Sequence, residues 1–216
     1  MVTETQAQRG AAASGRRWAS GSTIGNEELT AMTAIVLLVL LAALGITILR
    51  VRQLLNPHMF IGMMLLGPVL LKMLSTGWRF IRYYSGSAPY VSKGPPPFIL
   101  RASAPIVVLS TVAVFATGIV LLVAGPSARS PFLGLHKASF IVWLAFMALH
   151  VLGHLPELPH SLRASSHERA TPWDDYGAGR GARALALTGS LVAGVILAIL
   201  TIPLFASWAH LHILSH

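Results

Sequence analysis

Five apolar stretches, each long enough to cross a lipid bilayer, constrain this chain more than any other feature. They run at roughly 30–50, 57–83, 104–125, 132–155 and 184–206. A hydrocarbon core takes about 20 apolar residues of helix. Only helices and closed barrels satisfy all backbone polar groups within it. The first stretch, AMTAIVLLVLLAALGITIL, has no charge and a strongly helical composition. The fold class this predicts is an all-α membrane protein, a five-span transmembrane helical bundle over residues 30–206. Residues 1–29 read as a disordered N-terminal segment and residues 207–216 as a short tail.

Charge supports lipid rather than water as the main surroundings. Only 11% of the 216 residues are charged, against about 25% in soluble domains. The net charge of +9 does not mark nucleic-acid binding, because the basic residues are scattered between the apolar runs. Their distribution bears on topology instead. With the N-terminus inside, the inner segments hold Arg9, Arg16, Arg17, Arg79, Arg82, Lys93, Arg101, Arg163, Arg169, Arg180 and Arg183. The outer segments hold only Arg50, Arg52, Arg129 and Lys137. The expectation is a multi-pass protein of the cell (plasma) membrane, N-terminus cytoplasmic and C-terminus external.

Several chemistries are excluded or unsupported. The chain has no cysteine, which rules out disulfides, thiolate metal sites, iron–sulfur ligation and covalent c-type haem. It carries no phosphate-binding Walker loop, no dinucleotide glycine fingerprint and no HExxH zinc motif. Redox or metal chemistry is left to His, Met, Lys and carboxylates.

Histidine is where polar chemistry enters the spans. The stretch HKASFIVWLAFMALHVLGH carries His136, His150 and His154, and His58 opens the second span after Asn56-Pro57. Spans two and four run in the same direction, which puts His58 and His136 at comparable depth. Two such histidines on facing helices can ligate one haem iron axially. His150 follows His136 by 14 residues, about 21 Å of rise and within about 40° of the same face. The same step from His58 leads to Lys72, the costliest intramembrane residue in the chain. Gly45, Gly62 and Gly118 fall in the outer half of spans one, two and three, where glycine leaves room for a flat macrocycle or for close helix packing. The Gly67-Pro68 step predicts a kink in span two. GWRFIRYY at 77–84 reads as an interfacial belt of aromatic and basic residues.

Ligand positions 14 apart on co-directional helices resemble the membrane b-type cytochromes, of the cytochrome b561 and cytochrome b N-terminal kinds. The resemblance covers about four spans. It implies a four-helix haem-binding core from spans one to four, with span five peripheral or against a partner. It also implies haem b, one group held by His58 and His136. A second haem would use His150 opposite Lys72, where the family has histidine. The implied role is electron transfer between a quinone pool and a partner redox subunit, as part of an oxidoreductase. An oligomer is compatible with that role.

Two other readings stay open on the residues alone. One is a proton-coupled transporter or relay subunit using Lys72, His150 and His154. The other is a non-catalytic membrane anchor subunit, which leaves the histidines without a role.

Overall fold

A computed structural model describes residues 23–92, 94, 98–154 and 180–213. All regular structure among them is helical. In chain order these helices are α1 (Thr23–Leu49), α2 (Leu55–Tyr84), the short α3 (Ala88–Val91), α4 (Phe98–Ala124), α5 (Arg129–His154) and α6 (Arg180–Ile213). Helix begins at Thr23, so residues 23–29 of the predicted N-terminal segment belong to α1. At the other terminus α6 continues through Ile213, into the segment expected to be a tail. Residues 1–22, the loop 155–179 and residues 214–216 lie outside the described residues.

Four stretches are long and apolar enough to cross a membrane: Leu29–Leu49, Leu55–Tyr84, Leu100–Gly153 and Gly181–Trp208. The third spans 54 residues, about 80 Å of helix if straight, more than twice a bilayer core. It is not straight. A 3-10 turn at Gly125–Ala128 separates α4 from α5, and Gly125 adopts φ 66°, which a side chain would resist. Leu100 then meets Gly153, Thr111 meets Trp143 and Thr117 meets His136. Contacts in that reversed order make α4 and α5 an antiparallel hairpin.

A second hairpin joins α1 to α2. Its turn is closed by the Gln53 and Leu54 N–H groups, both donating to the Arg50 carbonyl at 2.9 Å. Pro57 stands in the first turn of α2, where no intrahelical N–H is needed. Across the hairpin Thr47 faces His58, Thr30 faces Lys72 and Asn26 faces Ser75.

Helix α6 packs antiparallel against α2 and is therefore not peripheral to a bundle of the first four long helices. Its contact face repeats small residues at Ser190, Gly194 and Ala198, one turn apart. In lipid, helices associate by close packing rather than by hydrophobic burial, and small residues permit it. A Cβ on Gly67 would collide with the Ser190 carbonyl, and one on Gly194 with the Met64 carbonyl. That second contact explains the Gly67-Pro68 step. Pro68 has no N–H, so the Met64 carbonyl four residues earlier loses its helical donor. The carbonyl meets the Gly194 backbone instead, a position where Cα–H···O contacts are favourable. Helix α2 is continuous through the buried Pro68. Met63, Leu122, Ala198 and Phe205 form the apolar core where α2, α4 and α6 meet.

Polarity runs opposite to that of a soluble protein. Large apolar residues such as Leu109, Leu200 and Leu185 face outward, each at least 69% exposed. The buried polar side chains among the described residues are Thr33, Thr47, Ser75, Ser103, Ser110 and Thr111. Each hydroxyl donates to a carbonyl three or four residues earlier in its own helix. Back-bonding of this kind leaves the oxygen lone pairs facing sideways as acceptors.

Candidate functional site

His58 and His136 use those acceptors. His58 Nδ1 lies 3.0 Å from Thr47 Oγ1, and the Thr47 hydroxyl proton is directed to the Leu44 carbonyl. The threonine oxygen must then accept, so His58 carries its proton on Nδ1. His136 Nδ1 lies 3.1 Å from both the Val114 carbonyl and Thr117 Oγ1. A carbonyl can only accept, and the Thr117 hydroxyl is committed to Ala113. His136 is therefore the same tautomer. In each ring the Nε2 lone pair is the one left available for a metal. An Nδ1–H held by an oxygen is the usual outer support of a histidine that ligates through Nε2.

The hairpin geometry is what makes these pairs. Thr47 and His58 sit equally far from the centre of the α1–α2 turn, as Thr117 and His136 do about the 3-10 turn. Residues equidistant from a tight antiparallel turn face each other. The two imidazoles lie on different hairpins, His58 on α2 and His136 on α5. Helices α2 and α5 do not pack along their lengths; α5 is held by α4 instead. The two histidines thus stand on helices that do not pack along their lengths.

The predicted glycines divide. Gly62, half-buried and one turn along α2 from His58, has no atom within 4 Å of where a Cβ would stand. Gly45 on α1 has the same free space. Gly118 is different: its Cβ would stand 3.2 Å from Cε1 and 3.5 Å from Nδ1 of His136. It makes room for the imidazole itself rather than for a macrocycle. Trp143 donates from Nε1 to Thr111 Oγ1 at 3.0 Å and fixes the α4–α5 register two turns beyond His136.

The other two predicted site residues stand at the far end. Lys72 Nζ donates to the Thr30 carbonyl of α1 at 2.8 Å. Around it, Thr30 donates to Ser75 Oγ and Asn26 to the Ser75 carbonyl, tying α1 to α2. Thr30 stands two residues after Glu28, the last acidic residue before the apolar run of α1, which brings Lys72 to the membrane edge rather than the bilayer centre. His150, half-buried on α5, lies four residues from His154, where that helix ends. The side chains of His154, His210 and His212, and all of His216, lie outside the described residues.

Two imidazoles with Nδ1 held by oxygen are the donor set that an axially ligated haem would need. Among the described residues no three His, Asp or Glu side chains gather as a metal-ion site. A porphyrin needs only two protein ligands, because its own nitrogens supply the other four. A shallow groove lined by Asn56, Pro57, Phe60, Ile61, Ile202 and Phe205 lies on the α6 flank of α2 and includes neither histidine. Thr47, Thr117 and Val114 are the supporting residues that sequence reading did not find. Their signal was available in the turn-centred symmetry of the two hairpins. Comparison with family models, with curated proteins and with solved structures finds no match.

Proposed function

We propose that the chain is an integral-membrane b-type cytochrome that carries electrons between a quinone pool and a partner redox protein. His58 and His136 would hold one haem b as its axial ligands, within a five-span bundle whose N-terminus is cytoplasmic. The observation that carries this reading is the pair of Nδ1-protonated imidazoles on separate hairpins, each backed by a threonine and each leaving Nε2 available.

The protein's part is to bind and orient. Thr47 fixes the plane and tautomer of His58; Thr117 and the Val114 carbonyl do so for His136. Gly118 lets the His136 ring lie close to α4. The surrounding apolar residues exclude water, which raises the influence of each hydrogen bond on the site. When bound, haem supplies reversible one-electron chemistry. Lys72 is left out of the ligand set because its amine is bonded to α1. The positive-inside distribution of Lys and Arg supports the orientation, which places the histidine pair toward the outer face.

The test is a reduced-minus-oxidised visible spectrum of the detergent-purified protein, with pyridine haemochrome quantification. One b-type haem per chain, lost in His58→Ala and in His136→Ala, is the expected result. A colourless protein from haem-supplied cells overturns the proposal.

A further inference from the structure

Between Glu28 and Glu157 the sequence contains no acidic residue. Within that interval Arg82 and Arg101 come to the place where α2 ends, α3 turns and α4 begins. The Arg82 guanidinium lies 5.8 Å from the centre of the Trp78 ring and 5.9 Å from that of Tyr90. Arg101 reaches back from α4 to within 5.7 Å of the Tyr84 ring. Tyr84 in turn packs on Phe80 and Tyr83, at 4.5 and 5.2 Å between ring centres. Both cations are thus supported by aromatic faces, while a guanidinium offers its hydrogen-bond donors along its edges. Among the described residues, neither Arg82 nor Arg101 has an ion pair.

The depth of the cluster is fixed on both sides. Glu27 and Glu28 precede the apolar run of α1, close to Ser75; Arg79 and Arg82 close that of α2, and Arg101 precedes that of α4. Residues 78–84 and 101 therefore lie at the level where hydrocarbon gives way to headgroups. Trp78, Phe80 and Tyr84 are all exposed there, as aromatic residues at a lipid interface are. Edge-on guanidinium donors match a phosphate.

From this we infer that the α2–α3–α4 junction is a binding site for the headgroup phosphate of an anionic phospholipid. Arg82 and Arg101 are the phosphate-binding cations; Trp78 and Tyr84 orient them. The site rests on the membrane-edge geometry and not on the haem reading.

Native mass spectrometry of the full chain, released from detergent with phosphatidylglycerol, phosphatidylcholine or inorganic phosphate, tests it. Wild type is expected to retain phosphatidylglycerol over phosphatidylcholine. Arg101→Gln, at an exposed position, and Arg82→Gln are each expected to lower that retention about fivefold. Arg50→Gln, at the opposite end of the hairpin, should leave it unchanged. Equal retention of the two lipids, an unaltered Arg101→Gln, or an equal loss in Arg50→Gln overturns the site. So does displacement of the lipid by inorganic phosphate, which would make the ligand a free anion.

Discussion

The two ends of the α1–α2 hairpin each place an ionisable side chain of α2 against α1, and they treat it in opposite ways. At one end His58 gives its Nδ1 proton to Thr47 and keeps a second nitrogen with an unused lone pair. At the other, Lys72 places its amine on the Thr30 carbonyl, inside a closed set of bonds with Ser75 and Asn26. The first arrangement orients a group outward from the pair; the second absorbs it. A polar residue in a membrane helix is a functional suspect by default. What separates a site from a structural contact here is the atom left over after the helix partner is satisfied.

The largest effect that can break this contrast is loss of cofactor. His58→Ala and His136→Ala should each abolish bound haem, while His150→Ala and Lys72→Met leave one haem per chain. Haemochrome quantification of the four proteins decides it. Loss of haem in the Lys72 variant alone would move the site to the other end.

Next in size is the α2–α6 contact, which lies between the two ends at Met64 and Gly67. Gly194→Leu would drive a side chain into the Met64 carbonyl, and overpacking at such a contact costs about 3 kcal/mol. A lowered thermal midpoint in detergent is expected, with Gly134→Leu as the reference because no atom lies within 4 Å of its Cβ position. Equal midpoints for the two variants would remove α6 from the stabilising framework.

The threonines sharpen the comparison at the histidine end. His58 has a single Nδ1 acceptor, whereas His136 has two, one of them a backbone carbonyl that no side-chain change removes. Thr47→Val should therefore weaken haem binding about tenfold, the scale for a lost outer partner, and Thr117→Val by clearly less. Nitrogen chemical shifts of the haem-free protein report the same asymmetry: the His58 tautomer becomes mixed in Thr47→Val, and that of His136 stays fixed in Thr117→Val. Matching effects of the two substitutions would refute the unequal support.

Much of the fold is legible in the sequence because bilayer thickness dictates helix length. The apolar runs mark the long helices, and Gly125-Pro126 marks the break in the longest. The place of α6 was not legible. Its small-residue face looks like any lipid-facing stretch until Pro68 of α2 is seen to free a carbonyl opposite Gly194. Depth alone singles out the two histidines as candidates, but not their threonine partners, since facing residues depend on turn length as well as on helical period. The partner of Lys72 on α1 was not legible either. Counted along α2, Lys72 falls deep in a 30-residue helix, yet the neighbouring helix places it near Glu27 and Glu28, where the apolar run of α1 begins.

The smallest predicted effect follows from that depth. The Thr30 carbonyl lies within α1 and keeps its own intrahelical donor, so Lys72→Met leaves no orphaned group behind. The substitution removes a charged group near the membrane edge, where its insertion cost is below the 2.5–3.5 kcal/mol or so of the bilayer centre. It also removes one hydrogen bond to a charged donor, worth about 1.5–3 kcal/mol. These oppose each other, and the net change in stability should stay within about 1 kcal/mol. A thermal melt of Lys72→Met beside wild type measures it. A larger loss would mean that the amine does more than tie α1 to α2, and the two ends of the hairpin would no longer differ in kind.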